Sequence, residues 1–298
     1  MQNVISVGDW RAIWWDAGLR YFPNKMSASP SHGFSTDRFR AALEAIATDL
    51  PPHRLDFDLH YCDRLGSTNT DVWERLDRGA KPGATTIAAQ QTAGRGQWSR
   101  SWQSETGGLY LSTLLAPHLP TDEAAQLTFA SAWGIAMNLR DRGIPVELKW
   151  PNDLLLEGRK LGGILTEIRT QAETISHAVV GVGINWRNST PETGISLGDF
   201  WAARPERSPF SLELLGAIVL SGIARGYLYW QTHGIEAGTA AYEALLFHRG
   251  RTVKIGDRSI AVLGVAIDGK LRARTVQKSI ECEVTFAPGS IQLGYEER

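Results

Sequence analysis

Apolar positions along this chain fall into three kinds of pattern. Residues 1–34 show neither helical nor strand spacing; Trp10, Trp14 and Trp15 are followed by SASPSHG, a Ser/Pro/Gly stretch that reads as linker. This aromatic patch either docks on the body of the protein or forms a loose extension. Over 36–50, Phe39, Leu43, Ile46 and Leu50 keep helical spacing until Pro51-Pro52 stops it. The middle of the chain alternates. RLDFDLHYCDRL has strand periodicity around Leu55, Phe57, Leu59 and Tyr61. Ser67 or Thr68 is then placed to cap a helix carrying Val72 and Leu76, closed by Gly79. TTIAAQQ and GGLYLSTLL read as strands, and Thr121 as the cap of a long helix ending in Arg140, Arg142 and Gly143. VELKW, GGILTEI and HAVVGVGINW predict three more strands, SPFSLELLGAIVLSGIARGYLYWQTHG a helix from Ser208 or Ser211, and AYEALLFHRG a second. Strands adjoining strands, with helices interspersed, predict an α+β fold rather than a strict βαβ repeat. From about Phe247 onward the pattern changes to short strands: TVKIG, SIAVLGVAI, KLRARTV, ECEVTF and IQLGY. Asp268-Gly269 is a hairpin signal there, and the whole reads as a small β-barrel domain. The expected organisation is therefore an extension (1–34), a main domain (35–246) and a C-terminal domain (247–298).

Composition narrows the field. A chain of 298 residues is long enough for one or two domains, and 43% hydrophobic with 21% charged residues is an ordinary globular balance. Lys+Arg is 31 against Asp+Glu 32, so no global field favours nucleic acid or an anionic membrane. Residues 1–60 hold six basic and seven acidic side chains and one short helical pattern, which disfavours a DNA-binding helix-turn-helix arm. Cys62 and Cys282 do not form a CxxC pair, which argues against a disulfide framework or structural zinc. No apolar run approaches the ~18 residues of a membrane span, and the first residues do not resemble a leader, so a cytoplasmic protein is expected. The histidines show no HxxxH or HxH spacing, and there is no GxSxG elbow. Asn188-Ser189-Thr190 fits a glycosylation sequon, but nothing else points to secretion.

Four segments could carry chemistry. In AAQQTAGRGQWSRSW (88–102), Gly94 and Gly96 allow backbone N–H groups close to an anion, Arg95 and Arg100 offer planar donors for phosphate, and Trp102 offers a face to a purine. The same loop is also an ordinary exposed turn; it is neither a Walker loop nor a dinucleotide fingerprint. In LKWPNDLLLEGRKLGGILTEI (148–168), Pro151 fixes a turn bearing Asn152 and Asp153, and a hairpin returns with Lys160. Asp153 has the hard oxygen suited to Mg²⁺, and Lys160 is a compact charge for a phosphate oxygen; turn capping and a solvated lysine are the plain alternatives. GSTN (66–69) presents N–H groups and hydroxyls where a strand passes into a helix, which capping also explains. VVGVGINW (179–186) lacks the third glycine of a dinucleotide site and fits a buried strand ending at Asn185.

Each segment is weak alone, but their order is specific. GSTN, QQTAGRGQWSRSW, GGLYLS, KWPNDLLLEGRKLGGIL and GVGIN together resemble the biotin protein ligases over residues 59–186, and the β-rich tail resembles that family's SH3-like domain. The resemblance implies a central mixed β-sheet flanked by helices, related to class II aminoacyl-tRNA synthetases, plus a small C-terminal SH3-like β-barrel. It implies a ligase that uses ATP and Mg²⁺ to turn biotin into biotinyl-5′-AMP. Biotin then passes to a lysine on the biotin-carrier domain of acetyl-CoA carboxylase or a related carboxylase. By position, Ser67, Thr68, Asn69 and Gln91 resemble polar contacts to biotin, whose neutral ureido ring suits hydroxyl and amide partners. Arg95, Gly96 and Gln97 match the biotin and phosphate loop, and Arg100 and Trp102 its later basic and adenine-stacking positions. Lys160 matches the lysine at biotin and the reacting phosphate. Asn152 and Asp153 match the turn at nucleotide and metal, Gly163 and Leu165 the strand beside biotin, and Asn185 a nucleotide-side asparagine. Arg95, Asp153 and Lys160 are thus the expected catalytic set.

One position departs from the pattern: Gln97 stands where many relatives carry arginine after GRG, so either the intermediate is released sooner or Arg100 substitutes. Three rival readings follow from the same resemblance. A lipoate or octanoyl ligase of the same superfamily is disfavoured by the GRG and KWPND pair. A biotin-sensing repressor is disfavoured by the acidic balance of residues 1–60, and a catalytically dead binding module by the presence of Arg95, Asp153 and Lys160. The expected protein is monofunctional, independent of nucleic acid and membrane, and a monomer or weak homodimer.

Overall fold

The computed structural model describes residues 33–47, 57–206, 209–256, 258–277 and 280–295. The tryptophan-rich extension, the end of the first helical pattern with its Pro-Pro stop, and Leu55 lie outside them. Helix α1 (Thr36–Ala47) buries Phe39, Ala42 and Ile46, as its spacing predicts. Strand β1 (Asp58–Leu65) leads to helix α2 (Thr68–Asp77) and strand β2 (Ala84–Gln91). Strand β3 (Leu109–Leu115) and the two-residue β4 (Leu119–Pro120) precede helix α3 (Ala125–Arg140). Strands β5 (Glu147–Lys149), β6 (Asp153–Leu156), β7 (Arg159–Gln171) and β8 (Thr174–Ile184) follow in succession. Helices α4 (Leu197–Ala202) and α5 (Leu212–Ala244) complete the main body.

Eight strands form one sheet in the order β1-β2-β3-β8-β7-β6-β5, with β4 at the side of β8. Only β1 and β2 run parallel; the other pairs are antiparallel, so the sheet is mixed and the fold is α+β. Period-two alternation sorts its side chains. On β8, Ala178, Val180, Val182 and Ile184 enter the main core beneath α1, α3 and α5, while Val179 joins Val72, Ala84 and Leu114 under α2. Two faces of the sheet are thus covered, the larger by three helices and part of the smaller by α2 alone.

Several local expectations change. Ser67 precedes α2, but its side chain makes no capping bond. The free Thr68 N–H donates instead to Gln91 Oε1 at 2.8 Å, so a side chain from β2 satisfies the helix end. Thr121 opens a short 3₁₀ turn, and α3 begins only at Ala125. The helix predicted from Ser208 or Ser211 through Gly234 begins at Leu212 and breaks at Gly234 (φ 85°); the helical stretch after the kink ends at Ala244, so only the first four residues of AYEALLFHRG are helical. By length and composition α5 is apolar enough to cross a membrane, contrary to the expectation from run length. Its most apolar window is 72% buried within the protein, because α5 is the central core helix.

The C-terminal strands β9 (Thr252–Ile255), β10 (Arg258–Val265), β11 (Leu271–Gln277) and β12 (Ile280–Phe286) form a four-stranded antiparallel sheet. IQLGY is not a strand; residues 292–295 carry no regular secondary structure. The small sheet is fastened to the body by three hydrogen bonds: Gln126 Nε2 to Ile267 O (2.6 Å), Trp150 Nε1 to Gly269 O (2.9 Å) and Val265 N to Glu243 Oε1 (2.7 Å).

Helix α1 is held by one nearly buried carboxylate. Glu213 Oε1 accepts from Ser35 N (3.0 Å), Arg38 Nε (3.1 Å) and Arg38 Nη2 (2.6 Å). Burial pushes this carboxyl up, but Arg38 and the backbone donors outweigh it and hold the group below its ordinary range. A folded-state pKa below the unfolded one stabilises the fold above the ordinary carboxylate range and is lost as pH falls through the folded value. Glu213→Gln should therefore cost about 1–3 kcal/mol in urea unfolding at pH 7. The gap between the two proteins should narrow in acid; a gap constant down to the acid limb contradicts this reading.

Candidate functional site

Strand register builds the floor of the site. Tyr110, Gly183, Gly163, Asp153 and Lys149 are consecutive cross-strand partners over β3, β8, β7, β6 and β5. The next row holds Ser112, Gly181 and Leu165. A bulge between Leu154 and Leu155 shifts the β6–β7 pairing by one residue. Strict alternation from Gly163 would send Lys160 to the opposite face; the extra residue returns it to the face of Asp153. The β6–β7 turn is Glu157-Gly158, both at positive φ (52° and 71°), the conformation a two-residue hairpin requires.

The bare floor admits two side chains to direct contact with the sheet. A methyl at Gly181 would overlap the Asn69 carboxamide, and one at Gly183 would overlap the Trp102 indole. Asn69, 3% exposed, sits over Gly181, donates to Leu165 O (3.3 Å) and Glu167 Oε2 (2.9 Å), and receives Ser112 Oγ at 2.6 Å. The Ser112 hydroxyl also lies 2.7 Å from Thr68 Oγ1. Gln91 Oε1 receives Thr68 N and Thr68 Oγ1 (2.8 and 3.2 Å), while its Nε2 donates to Ser104 Oγ (2.8 Å). These residues form one wall of hydroxyls and amides.

The Gly/Arg loop forms a second wall. It folds back on itself through Gly96 N to Arg100 O (2.7 Å) and Trp102 N to Gly94 O (2.9 Å). Trp98 and Ser99 at its tip adopt the left-handed conformation (φ 54° and 59°), at a cost of about 1–3 kcal/mol each. Arg95 makes a two-pronged ion pair with Glu167 (2.8 and 3.0 Å). Arg95 is thus held at the rim rather than extended into the cavity.

Charge concentrates at the third wall. Asp153 Oδ1 meets Lys160 Nζ at 2.6 Å, and Oδ2 accepts from Lys149 Nζ (3.2 Å) and Tyr295 Oη (2.7 Å). Burial pushes the Asp153 carboxyl up, but Lys160 and Lys149 outweigh it and hold it below the carboxylate range. Burial pulls the Lys149 ammonium down, with Asp153 opposing. Two cations against one anion leave this corner with a surplus positive charge. The fit to an ion held by the protein is poor. Both Asp153 oxygens are taken by ammonium or phenol donors, and the described residues contain no group of three or more His, Cys, Asp or Glu that could hold a metal. In this structure the Asp153 carboxylate orders two lysines.

These walls enclose a cavity of about 240 Å³. Ser67, Thr68, Asn69, Gln91, Arg95, Gly96, Gln97, Arg100, Trp102, Asn152, Asp153, Lys160, Gly163 and Leu165 all line it. Asn152 also braces the turn, donating to Ile164 O at 2.7 Å. Asn185 does not line the cavity. It lies just beyond β8, where its amide contacts Lys160 O (3.3 Å) and receives Asn188 (3.0 Å). Two buried polar atoms in the lining, Gln97 Oε1 and Trp102 Nε1, find no protein partner. Buried polar atoms are nearly always bonded, so these two stand out among the lining residues. Sequence reasoning missed Lys149, Glu167, Gly181 and residues 289–295. Alternation from Gly163 through Leu165 could have found Glu167, but nothing local pointed to the tail.

An α+β body with a glycine-floored, cationic small-molecule pocket is the class defined by this fold and site. Residues 61–185 match the model of the Biotin/lipoate A/B protein ligase family, and they constitute a domain of that family. The Bifunctional ligase/repressor BirA of Bacillus spizizenii is 32% identical over 200 residues, covering 66% of this chain and 62% of that protein. Its counterpart in Escherichia coli is 32% identical over 211 residues, covering 68% and 64%. The chain thus spans somewhat under two thirds of these curated relatives. A biotin protein ligase from Aquifex aeolicus, solved with biotin and ATP, matches with a TM-score of 0.63 and 25% identity, covering 80% of this chain and 99% of that one.

Gly181→Ala tests the floor. The added methyl must displace Asn69 and the start of α2, at a cost of about 1–3 kcal/mol. Thermal unfolding should show the loss; an unchanged midpoint means that α2 does not rest on the sheet at this point.

Proposed function

We propose that this protein is a biotin–[biotin carboxyl-carrier protein] ligase that converts biotin and ATP to biotinyl-5′-AMP and pyrophosphate, then transfers biotin to a carrier-domain lysine. One observation carries the reading: a single cavity unites a hydroxyl-and-amide wall, an arginine loop with unpartnered polar atoms, and a lysine pair around Asp153. A neutral ureido ring needs donors and acceptors without charge, which Ser67, Thr68, Asn69 and Gln91 supply. The names of the relatives and the biotin and ATP in the Aquifex aeolicus structure agree with this.

The first step needs no general base, because a carboxylate is ionised at pH 7 and already nucleophilic. Its oxygen attacks the α-phosphorus, and the bond from that phosphorus to the pyrophosphate oxygen breaks. The obstacle is the approach of two anions. Lys160 and Lys149, ordered by Asp153, offset the charge on the phosphate, and Arg95 joins them once an incoming anion draws it from Glu167. Trp102 supplies a flat face for adenine, and Arg100 a further cation at the loop. Any Mg²⁺ would arrive with the nucleotide rather than wait on this chain's own carboxylates. In the second step the carrier amine attacks the activated carbonyl and loses its proton, and the C–O bond to AMP breaks.

We read the small antiparallel sheet as the SH3-like domain of this family and the main body as related to class II aminoacyl-tRNA synthetases. The ligase would act on acetyl-CoA carboxylase or a related carboxylase. Two free cysteines suit the reducing cytoplasm.

Biotin-dependent exchange of labelled pyrophosphate into ATP tests the first step, and mass spectrometry of a biotin-carrier domain the second. Lys160→Ala should lose roughly 10²–10³-fold in kcat while Asp153 keeps Lys149 as partner and the fold survives. Near-parental exchange in that variant removes Lys160 from the chemistry. Gln97→Arg should slow the escape of biotinyl-AMP by adding a cation at the half-buried Gln97 position. Equal escape rates would show that Gln97 has no part in retention.

A further inference from the structure

The chain beyond β12 supplies part of the cavity wall from the far end of the sequence. Gly289 lies against the Trp98 indole so closely that a methyl there would overlap the ring. Leu293, 4% exposed, is anchored in the main core. The segment is therefore fixed at the Gly/Arg loop and again in the core, and Tyr295 follows two residues later. Its hydroxyl donates to Asp153 Oδ2 at 2.7 Å, and its ring centroid lies 4.1 Å from Lys149 Nζ.

A carboxylate between two lysines can rotate about its Cβ–Cγ bond, exchanging the oxygen that each ammonium receives. The Tyr295 hydroxyl occupies Oδ2 and fixes that rotation, leaving Oδ1 for Lys160. A phenol is well suited to this place because it donates without adding charge. Burial, with Asp153 beside it, drives its pKa up and keeps it protonated. A cation there would compete with the lysines for Asp153, and an anion would cancel the surplus positive charge that a phosphate meets. The other groups acting on this cluster are Arg100 from the loop and Tyr242 from α5, whose ring is buried and whose hydroxyl donates to Pro151 O at 3.3 Å.

We propose that Tyr295 is a positioning residue for adenylation: its hydroxyl locks the Asp153 carboxylate so that Lys160 is presented in one orientation to the reacting phosphate. The inference rests on the ligase reading above. Biotin-dependent pyrophosphate exchange by the full chain is compared with that of Tyr295→Phe and Tyr295→Ala. Tyr295→Phe keeps the ring, its packing and its contact with Lys149, and loses only the donor. It should lower kcat about tenfold with the KM for biotin unchanged. Tyr295→Ala should lose at least as much. Parental kcat in the Phe variant, with loss only in the Ala variant, would reduce Tyr295 to packing and overturn the inference; so would a loss confined to KM. Absence of exchange in the parent protein would overturn the ligase reading and this inference together, whereas exchange in the parent with an unaffected Phe variant overturns the inference alone.

Discussion

Two ammonium groups cannot share a largely buried corner unless an anion lies between them. Asp153 meets that constraint here, and much of the site is arranged around it. Asp153 is 6% exposed, so without Lys149 and Lys160 its carboxylate would be a buried unpaired charge, and without it they would repel each other. The arrangement is unequal by design: two positive charges face one negative. The surplus is what a polyphosphate would meet, and the low exposure of the corner makes it act more strongly than in open solvent.

The other end of the cavity obeys an opposite requirement. The wall of Thr68, Asn69, Gln91 and Ser112 carries no charge, and its members are already bonded to one another. A pocket of this kind recognises a neutral polar ring by exchanging internal hydrogen bonds for ligand bonds. Between the two ends lies a floor stripped of side chains at Gly163, Gly181 and Gly183. That bare strip brings α2 from one side and Trp102 from the other onto the same sheet. Arg95 is paired with Glu167 at the rim.

Much of this was legible in the residues. The Gly/Arg loop, the Lys-Trp-Pro-Asn-Asp turn, the Glu-Gly hairpin and the change to short strands after Phe247 all announce themselves through turn chemistry and period. The structure gathers fourteen of the expected site residues around one cavity. Partners that the local pattern does not reveal surround several of these residues. Ser67 makes no capping bond to α2, and Gln91, from β2, accepts from the Thr68 N–H at that helix end. Asp153 receives three donors, Lys149, Lys160 and Tyr295, the last from the far end of the chain. Asn185 is spent on Asn188 and the Lys160 carbonyl.

Sequence alone determined the local elements, the order of the motifs and the chemical character of the side chains, since these depend on neighbours a few residues apart. Tertiary structure decided which way those side chains point and what they meet. Lys160 faces Asp153 only because a one-residue bulge reverses the alternation of β7. Arg95 finds Glu167 across 72 residues of chain, and Tyr295 finds Asp153 across 142. Contacts of that separation are set by sheet register and by the anchoring of a tail in the core, and no local period encodes either.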